Sequence, residues 1–188
     1  PNTVNKILSA DKAEILGIYG QNGSGKTAIV DALYFLQKVM VGADLDQSLE
    51  DYMTIDSDTA EIFADFNIFM DGIVFEVGYT LSLSREEKEI VINREILRSA
   101  KNENGIRTNK TTFMDYQRDQ TDVIFKPQKR LDEILEANKE IKTDLIVARK
   151  MAEKSNCSYI FGESSREIFC REYKNGFQQF SVIISSLF

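Results

Sequence analysis

The stretch "ILGIYGQNGSGKTAIVDALYFL", Ile15 to Leu36, decides how this chain is read. A short apolar run, Ile15 to Tyr19, feeds a loop containing Gly20, Gly23 and Gly25, and the loop passes through Lys26 and Thr27 into a second apolar stretch. The first run has the length and composition of a buried strand. From Thr27 to about Val41, the apolar residues Ile29, Val30, Leu33, Phe35, Leu36, Val39 and Met40 cover more than one helical face, which predicts a buried helix. Gly42 is its expected C-terminal stop.

Gly20 to Thr27, "GQNGSGKT", satisfies GxxxxGK[ST], with a strand expected before it and a helix after it. Gly23 and Gly25 allow backbone angles and close approaches that a Cβ would block, so successive N–H groups can turn inward around a phosphate. A helix starting near Lys26 adds its positive end. At ordinary residue frequencies the four fixed positions coincide roughly once in 30,000 windows. The motif's own expected contacts are the backbone at Gly23 and Gly25, the side chains of Lys26 and Thr27, and the start of the helix. Lys26 is the expected catalytic residue, reaching the β- and γ-phosphates as a point charge, and the Thr27 hydroxyl is the expected magnesium ligand. The pairs Asn5-Lys6, Asn109-Lys110 and Asn138-Lys139 all lack the Asp of a guanine-reading NKxD, and no DxxG occurs, so ATP with Mg2+ is the expected cofactor.

Composition narrows the chemistry further. With 188 residues and 43% hydrophobic content the chain can build one core. Histidine is absent, which excludes Ser-His-Asp triads, Cys-His dyads and HExxH zinc sites from these residues. Cys157 and Cys170 form no CxxC pair, so neither a disulfide scaffold nor a zinc knuckle is expected, and a reducing, cytoplasmic setting fits. No apolar stretch reaches the roughly 18 residues of a membrane span, so no membrane partner is expected. The start, "PNTVNKILSADKAE", is not a signal peptide. Net charge is −7, and no Lys or Arg falls between Lys38 and Arg85, where ten acidic residues lie from Asp44 to Glu76. That segment reads as a solvated acidic face that repels a phosphate backbone.

Beyond an acidic segment from Ala43 to Thr59, which reads as loop with a short helix, the apolar period changes to two. "AEIFADFNIFM", Asp71-Gly72 and "IVFEVGYTLSLS" predict a hairpin with Ile73, Phe75, Val77, Tyr79, Leu81 and Leu83 on one face. "EIVINREILRS" continues the pattern past a charged turn at Arg85 to Lys88, and "NENGIRTN" turns towards a strand around Thr112 to Tyr116. An antiparallel meander results. Helical spacing returns from Lys129 to about Lys154, as an amphipathic helix packed on the domain through Leu131, Ile134, Leu135, Ile141, Leu145, Ile146, Ala148 and Met151. Glu163 to Lys174 reads as another helix closed by Gly176, and Phe180 to Ile184 as a last strand.

"IYGQNGSGKTAIVDALYFL" resembles the start of the RecF/SMC-like ABC ATPases, in particular the stand-alone AAA-type, OLD-related ATP-binding proteins. The loop match is specific; residues 60 to 188 match in layout only. The resemblance implies an α/β P-loop NTPase fold, an ABC-ATPase-like N-terminal lobe with an antiparallel β-meander and a helical segment. It would occupy residues 1–188 as one partial domain: loop, helix and acidic segment to 59, meander from 60 to 125, and helical segment with last strand from 126. It also implies Asn22, Gly23, Ser24, Gly25, Lys26, Thr27 and Ala28 as nucleotide contacts, and ATP-gated homodimerisation through the nucleotide interface, coupled to DNA repair, recombination or phage defence, with a DNA or nuclease partner.

Hydrolysis in that group needs an apolar strand ending in Asp-Glu. "NIFMDG" ends in the hairpin's Asp-Gly and "SVIISSLF" ends without a carboxylate, while "LSLSREE" shares only the opening of an LSGGQ-type signature. The Walker B and signature motifs are therefore expected outside this chain, with an active longer protein and an inactive isolated fragment. A γ-phosphate-sensing glutamine is implied too, with Gln117, Gln120 and Gln128 as candidates. The competing readings are a nucleotide-responsive interaction module that never hydrolyses, and a small-molecule kinase.

Overall fold

The computed structural model describes residues 25–45, 49, 52–53, 57–70, 72–87, 89–120, 124–125, 132, 136 and 140–171. The expected strand Ile15–Tyr19, the loop up to Ser24, positions 46–48, 50–51 and 54–56 of the acidic segment, Gln128, the helical pattern before Glu140 apart from isolated positions, and the last strand lie outside them.

Helix α1 spans Lys26–Met40. Its end follows from Gly42, whose φ of +71° is cheap only for glycine. The Gly42 N–H donates to the Val39 carbonyl and the Ala43 N–H to the Lys38 carbonyl, both at 3.0 Å, so the last carbonyls of the helix are satisfied by a Schellman turn. A Cβ at Gly42 would also stand 2.7 Å from the Phe161 carbonyl oxygen. Gly42→Ala therefore meets both a left-handed backbone and a fixed main-chain atom, and is expected to destabilise the fold by about 3 kcal/mol. Urea unfolding monitored by circular dichroism checks this.

The helix burial expected from its apolar residues is realised only at its C-terminal half. Phe35 and Val39 are buried, whereas Ile29, Val30 and Leu33 are 46%, 61% and 60% exposed. Helical geometry sends Phe35 and Val39, four apart, to one side, and that side is buried in the core with Tyr34, Leu36 and Met40 packed beside it.

The sheet is an antiparallel meander. Strands β1 (Thr59–Met70) and β2 (Ile73–Glu86) are joined through a turn at Gly72, which has φ +78°, and β3 (Glu89–Glu103) follows through a turn in which Glu87 has φ +56°. Asn104 and Gly105, both with positive φ, turn the chain into β4 (Ile106–Arg107), a short flap on β3. Then come β5 (Thr111–Gln117) and β6 (Ile124–Phe125), giving the order β1-β2-β3-β5-β6. The alternation in β2 translates directly into burial, with Phe75, Val77, Tyr79, Leu81 and Leu83 all on the core face. On the opposite face, ion pairs cross the strands: Arg94 to Asp115 and Arg107 to Glu76, both bidentate, and Lys110 to Asp65. The Lys110–Asp65 pair lies over Gly78, where a Cβ would come 2.8 Å from the Lys110 Nζ. Beside Arg107 the Glu76 carboxyl is held below its usual range, chiefly by that hydrogen bond.

Helices α2 (Glu140–Ser155) and α3 (Glu163–Arg171) pack together beside this sheet. The α2 core face differs in detail from the expected one. Ile141, Ala148 and Ala152 are buried, while Ile146 and Met151 are 43% and 52% exposed. Two alanines on the contacting side let the helix approach closely, and the longer side chains flank the contact.

The segment 156–162 between these helices ties the fold together. Asn156, at φ +48°, ends α2, and its amide donates to the Leu45 and Ile90 carbonyls while its own carbonyl accepts from the Leu45 N–H. Glu95 of β3, wholly buried, accepts hydrogen bonds from the Tyr79 hydroxyl at 2.6 Å, the Ser158 hydroxyl and the Tyr159 N–H at 2.7 Å. Ser158 in turn accepts from the Phe161 N–H at 2.8 Å. Phe161 sits edge-on to Tyr79, and Tyr159 stacks on Tyr116, each with ring centres 5.1 Å apart.

Candidate functional site at the start of the first helix

The described part of the glycine loop begins at Gly25, and there the backbone has φ +84° and ψ +13°. This left-handed conformation is the reason the motif requires glycine at that position, because a Cβ would oppose the carbonyl. Helix α1 starts at the next residue, Lys26, as the motif predicts. The N-cap residue, Gly25, makes no side-chain capping hydrogen bond and no acidic residue lies in the first turn, so nothing in the turn's own sequence neutralises the helix's positive pole. Lys38 sits in the last turn, complementing the negative pole.

Lys26 is half-buried at this end, and Thr27 and Ala28 are exposed. A lysine at the first helical position, together with upturned first-turn N–H groups and an accessible hydroxyl, suits an oxyanion-rich ligand. The remaining expected contacts, Asn22, Gly23 and Ser24, lie outside the described residues. Among the described residues, no group of three His, Cys, Asp or Glu side chains could hold a metal. A single threonine hydroxyl fits magnesium, which binds through one or two protein oxygens and completes its shell with phosphates and water.

The mount of this end is rigid. Phe35 and Val39 lock the C-terminal half of α1 in the core, and Tyr34 stacks on Tyr52 at 5.4 Å with the Lys38 ammonium 5.5 Å from the Tyr34 ring centre. The Schellman turn then seats Gly42 against Phe161. Sequence reasoning overlooked the packing partners in the acidic segment. Leu45, Leu49 and Met53 are 6%, 1% and 5% exposed, so that segment is not solely a solvated face. Their spacing of four is the helical signal that the surrounding carboxylates masked.

Of the glutamines considered, Gln117 ends β5 half-buried, with its main-chain carbonyl accepting from the Arg149 guanidinium, and Gln120 is exposed after the following turn. The one other reactive group considered, Cys157, is a free thiol in a cleft of about 150 Å³ between α2 and α3. Burial pushes it up to about 11, which keeps it protonated at neutral pH and unsuited to nucleophilic work. The chemistry therefore concentrates at the start of α1. No described helix is long and apolar enough to cross a membrane.

Comparison with known proteins bears on this end of the molecule. A family model described as "AAA domain, putative AbiEii toxin, Type IV TA system" matches residues 15–146, which takes in the glycine loop, α1 and the whole meander. No curated protein and no solved structure matches the chain.

Proposed function

Because the chain belongs to this AAA domain family, we propose that its glycine loop and the first turn of α1 bind ATP with magnesium, as the nucleotide site of an ATPase. The observation that carries the reading is the junction itself: a left-handed Gly25 followed at once by an uncapped helix whose first residue is Lys26. An uncapped helix end beside a positive side chain is stabilised by an anion, and the triphosphate is the anion that GxxxxGK[ST] encloses.

In this reading the main-chain N–H groups of Gly23 to Lys26 orient the phosphates and the Lys26 ammonium offsets negative charge on the β- and γ-oxygens. The Thr27 hydroxyl would hold magnesium, which would supply Lewis-acid polarisation of the bound phosphates. Such groups position and polarise, and they do not by themselves activate water. No apolar run of this sequence ends in the Asp-Glu that would do so. We accordingly assign ATP binding to these residues and expect little turnover from them alone. By the resemblance to RecF/SMC-like and OLD-related proteins, the catalytic carboxylate, homodimerisation through the nucleotide and a DNA or nuclease partner complete the activity. The family description supports a toxin–antitoxin setting beside the DNA-repair and phage-defence settings.

Calorimetric titration with MgATP, MgGTP and inorganic phosphate tests the reading. Saturable MgATP binding with weaker MgGTP binding is expected, and equal binding of the two would remove the argument drawn from the missing NKxD. A steady-state phosphate-release assay separates an ATPase from a non-hydrolysing nucleotide sensor.

A further inference from the structure

Strand β1 lies at one side of the sheet, and among the described residues no strand pairs with its outer edge. Natural edge strands discourage pairing with lysine, proline, bulges or brevity. This one has none of these. It runs for 12 residues, contains no Lys, Pro or Gly, and pairs with β2 from Thr59↔Ser84 to Met70↔Ile73 without a register shift. Two of its aromatic side chains point away from the core, with Phe63 69% and Phe69 63% exposed.

We propose that this edge is an interface with a second copy of the chain, two β1 strands pairing antiparallel about a two-fold axis through Phe66 to extend the sheets into one. The occupant is identified by the self-complementarity of the sequence. Residues facing each other across an antiparallel pair share a face, so the strand can meet its copy only in registers centred on a residue. Centring on Phe63 sets Glu61 against Asp65 of the second copy, and centring on Asp65 sets that carboxylate against itself. Centring on Ala64 puts Phe63 against Asp65. Centring on Phe66 instead places Phe63 opposite Phe69 of the second copy, and Phe69 opposite its Phe63. The same register puts Asp65 beside Asn67, Ala64 opposite Ile68, and Phe66 opposite itself on the core face. Residues 62–70 overlap with no like charges opposed, and both exposed aromatics gain a cross-strand partner. A foreign strand has no reason to match this spacing of six, whereas a second copy matches it by construction.

The pairing is independent of nucleotide and stands or falls separately from ATP binding. Sedimentation velocity of the full chain, run over a range of concentrations with and without MgATP and alongside Lys26→Ala, should show a reversible dimer in every case. Phe63→Lys should weaken it at least about tenfold, because the cross-strand aromatic pair is then lost at both ends of the overlap. Both phenylalanines are exposed, so thermal melts should show the variants folded. Phe63→Lys combined with Phe69→Glu, which sets opposite charges across from each other twice, should restore the dimer, and Phe69→Lys alone should not. A monomer at all concentrations overturns the proposal, as does a dimer indifferent to these substitutions. A dimer that needs MgATP and is lost in Lys26→Ala also overturns it, and points to the nucleotide interface.

Discussion

Lys26→Ala is expected to weaken MgATP binding at least about hundredfold while leaving the fold intact. A hydrogen-bonded ammonium on a phosphate contributes roughly 3 kcal/mol, which corresponds to about two decades in affinity. The side chain stands at the first position of α1, remote in sequence from Phe35 and Val39, the helix residues buried in the core. Its removal should therefore move the melting temperature little. Lys26→Arg is the informative companion, because a planar fork cannot replace a point charge inside a cradle of main-chain N–H groups. Titration calorimetry beside thermal melts makes the check, and unchanged affinity in Lys26→Ala would refute the nucleotide assignment. Thr27→Ala should act differently, weakening binding mainly when magnesium is present.

Glu95→Ala is expected to cost about 4 kcal/mol, the largest stability effect of any single substitution considered. The carboxylate is wholly buried and gathers three donors, from Tyr79, Ser158 and the Tyr159 main chain. Deleting it strands those donors in a site that water does not reach, and each stranded group costs about 1–3 kcal/mol. Tyr79→Phe, which removes only one donor, should cost about 1–2 kcal/mol. Denaturant melts of both variants give the comparison, and equal losses would show that the network is not centred on Glu95.

The same residue gives the protein a pH signature. Burial, the dominant influence, raises the Glu95 carboxyl above the ordinary carboxylate value, against the pull of Ser158, Tyr79 and main-chain N–H groups. The native state then holds this proton more tightly than the unfolded chain. Between the ordinary value and the raised one, the folded protein binds more protons, so this group's contribution to stability falls as pH rises through that window and is level above it. Glu95→Gln, which cannot titrate, should flatten that part of the stability–pH curve. A slope of the same size in both proteins would exclude Glu95 as its source.

Much of the molecule is legible in residue order because its signals are local. Period-two alternation with Asp71-Gly72 and Asn104-Gly105 predicts the meander, and each turn needs only a few residues to specify it. Gly25 and Gly42 bracket α1 for a reason internal to the backbone: both adopt positive φ. GxxxxGK[ST] is legible for the same reason, because every group of the proposed phosphate site is contiguous in the chain. Burial was read less well, since it depends on what lies across the chain. Seven apolar residues in α1 implied a helix covered on several sides, yet Ile29, Val30 and Leu33 are exposed, and among the described residues the core packs on the C-terminal half, at Phe35 and Val39 with Tyr34, Leu36 and Met40 beside them. The reverse error occurred at Leu45, Leu49 and Met53, where flanking carboxylates hid a buried face.

Residue order by itself determined the left-handed glycine at Gly25, the helix that starts after it and the succession of strands in the meander, because each is set by conformational preferences spanning fewer than about a dozen residues. Only the tertiary structure decided that Glu95, one carboxylate among 30 acidic residues, would be the buried acceptor for Tyr79, Ser158 and Tyr159. It alone decided, too, that Asn156 would clasp Leu45 and Ile90. Those partners are up to 111 positions apart in the chain, and no local preference encodes a meeting that exists only once β2, β3 and the 156–162 segment have closed on one another.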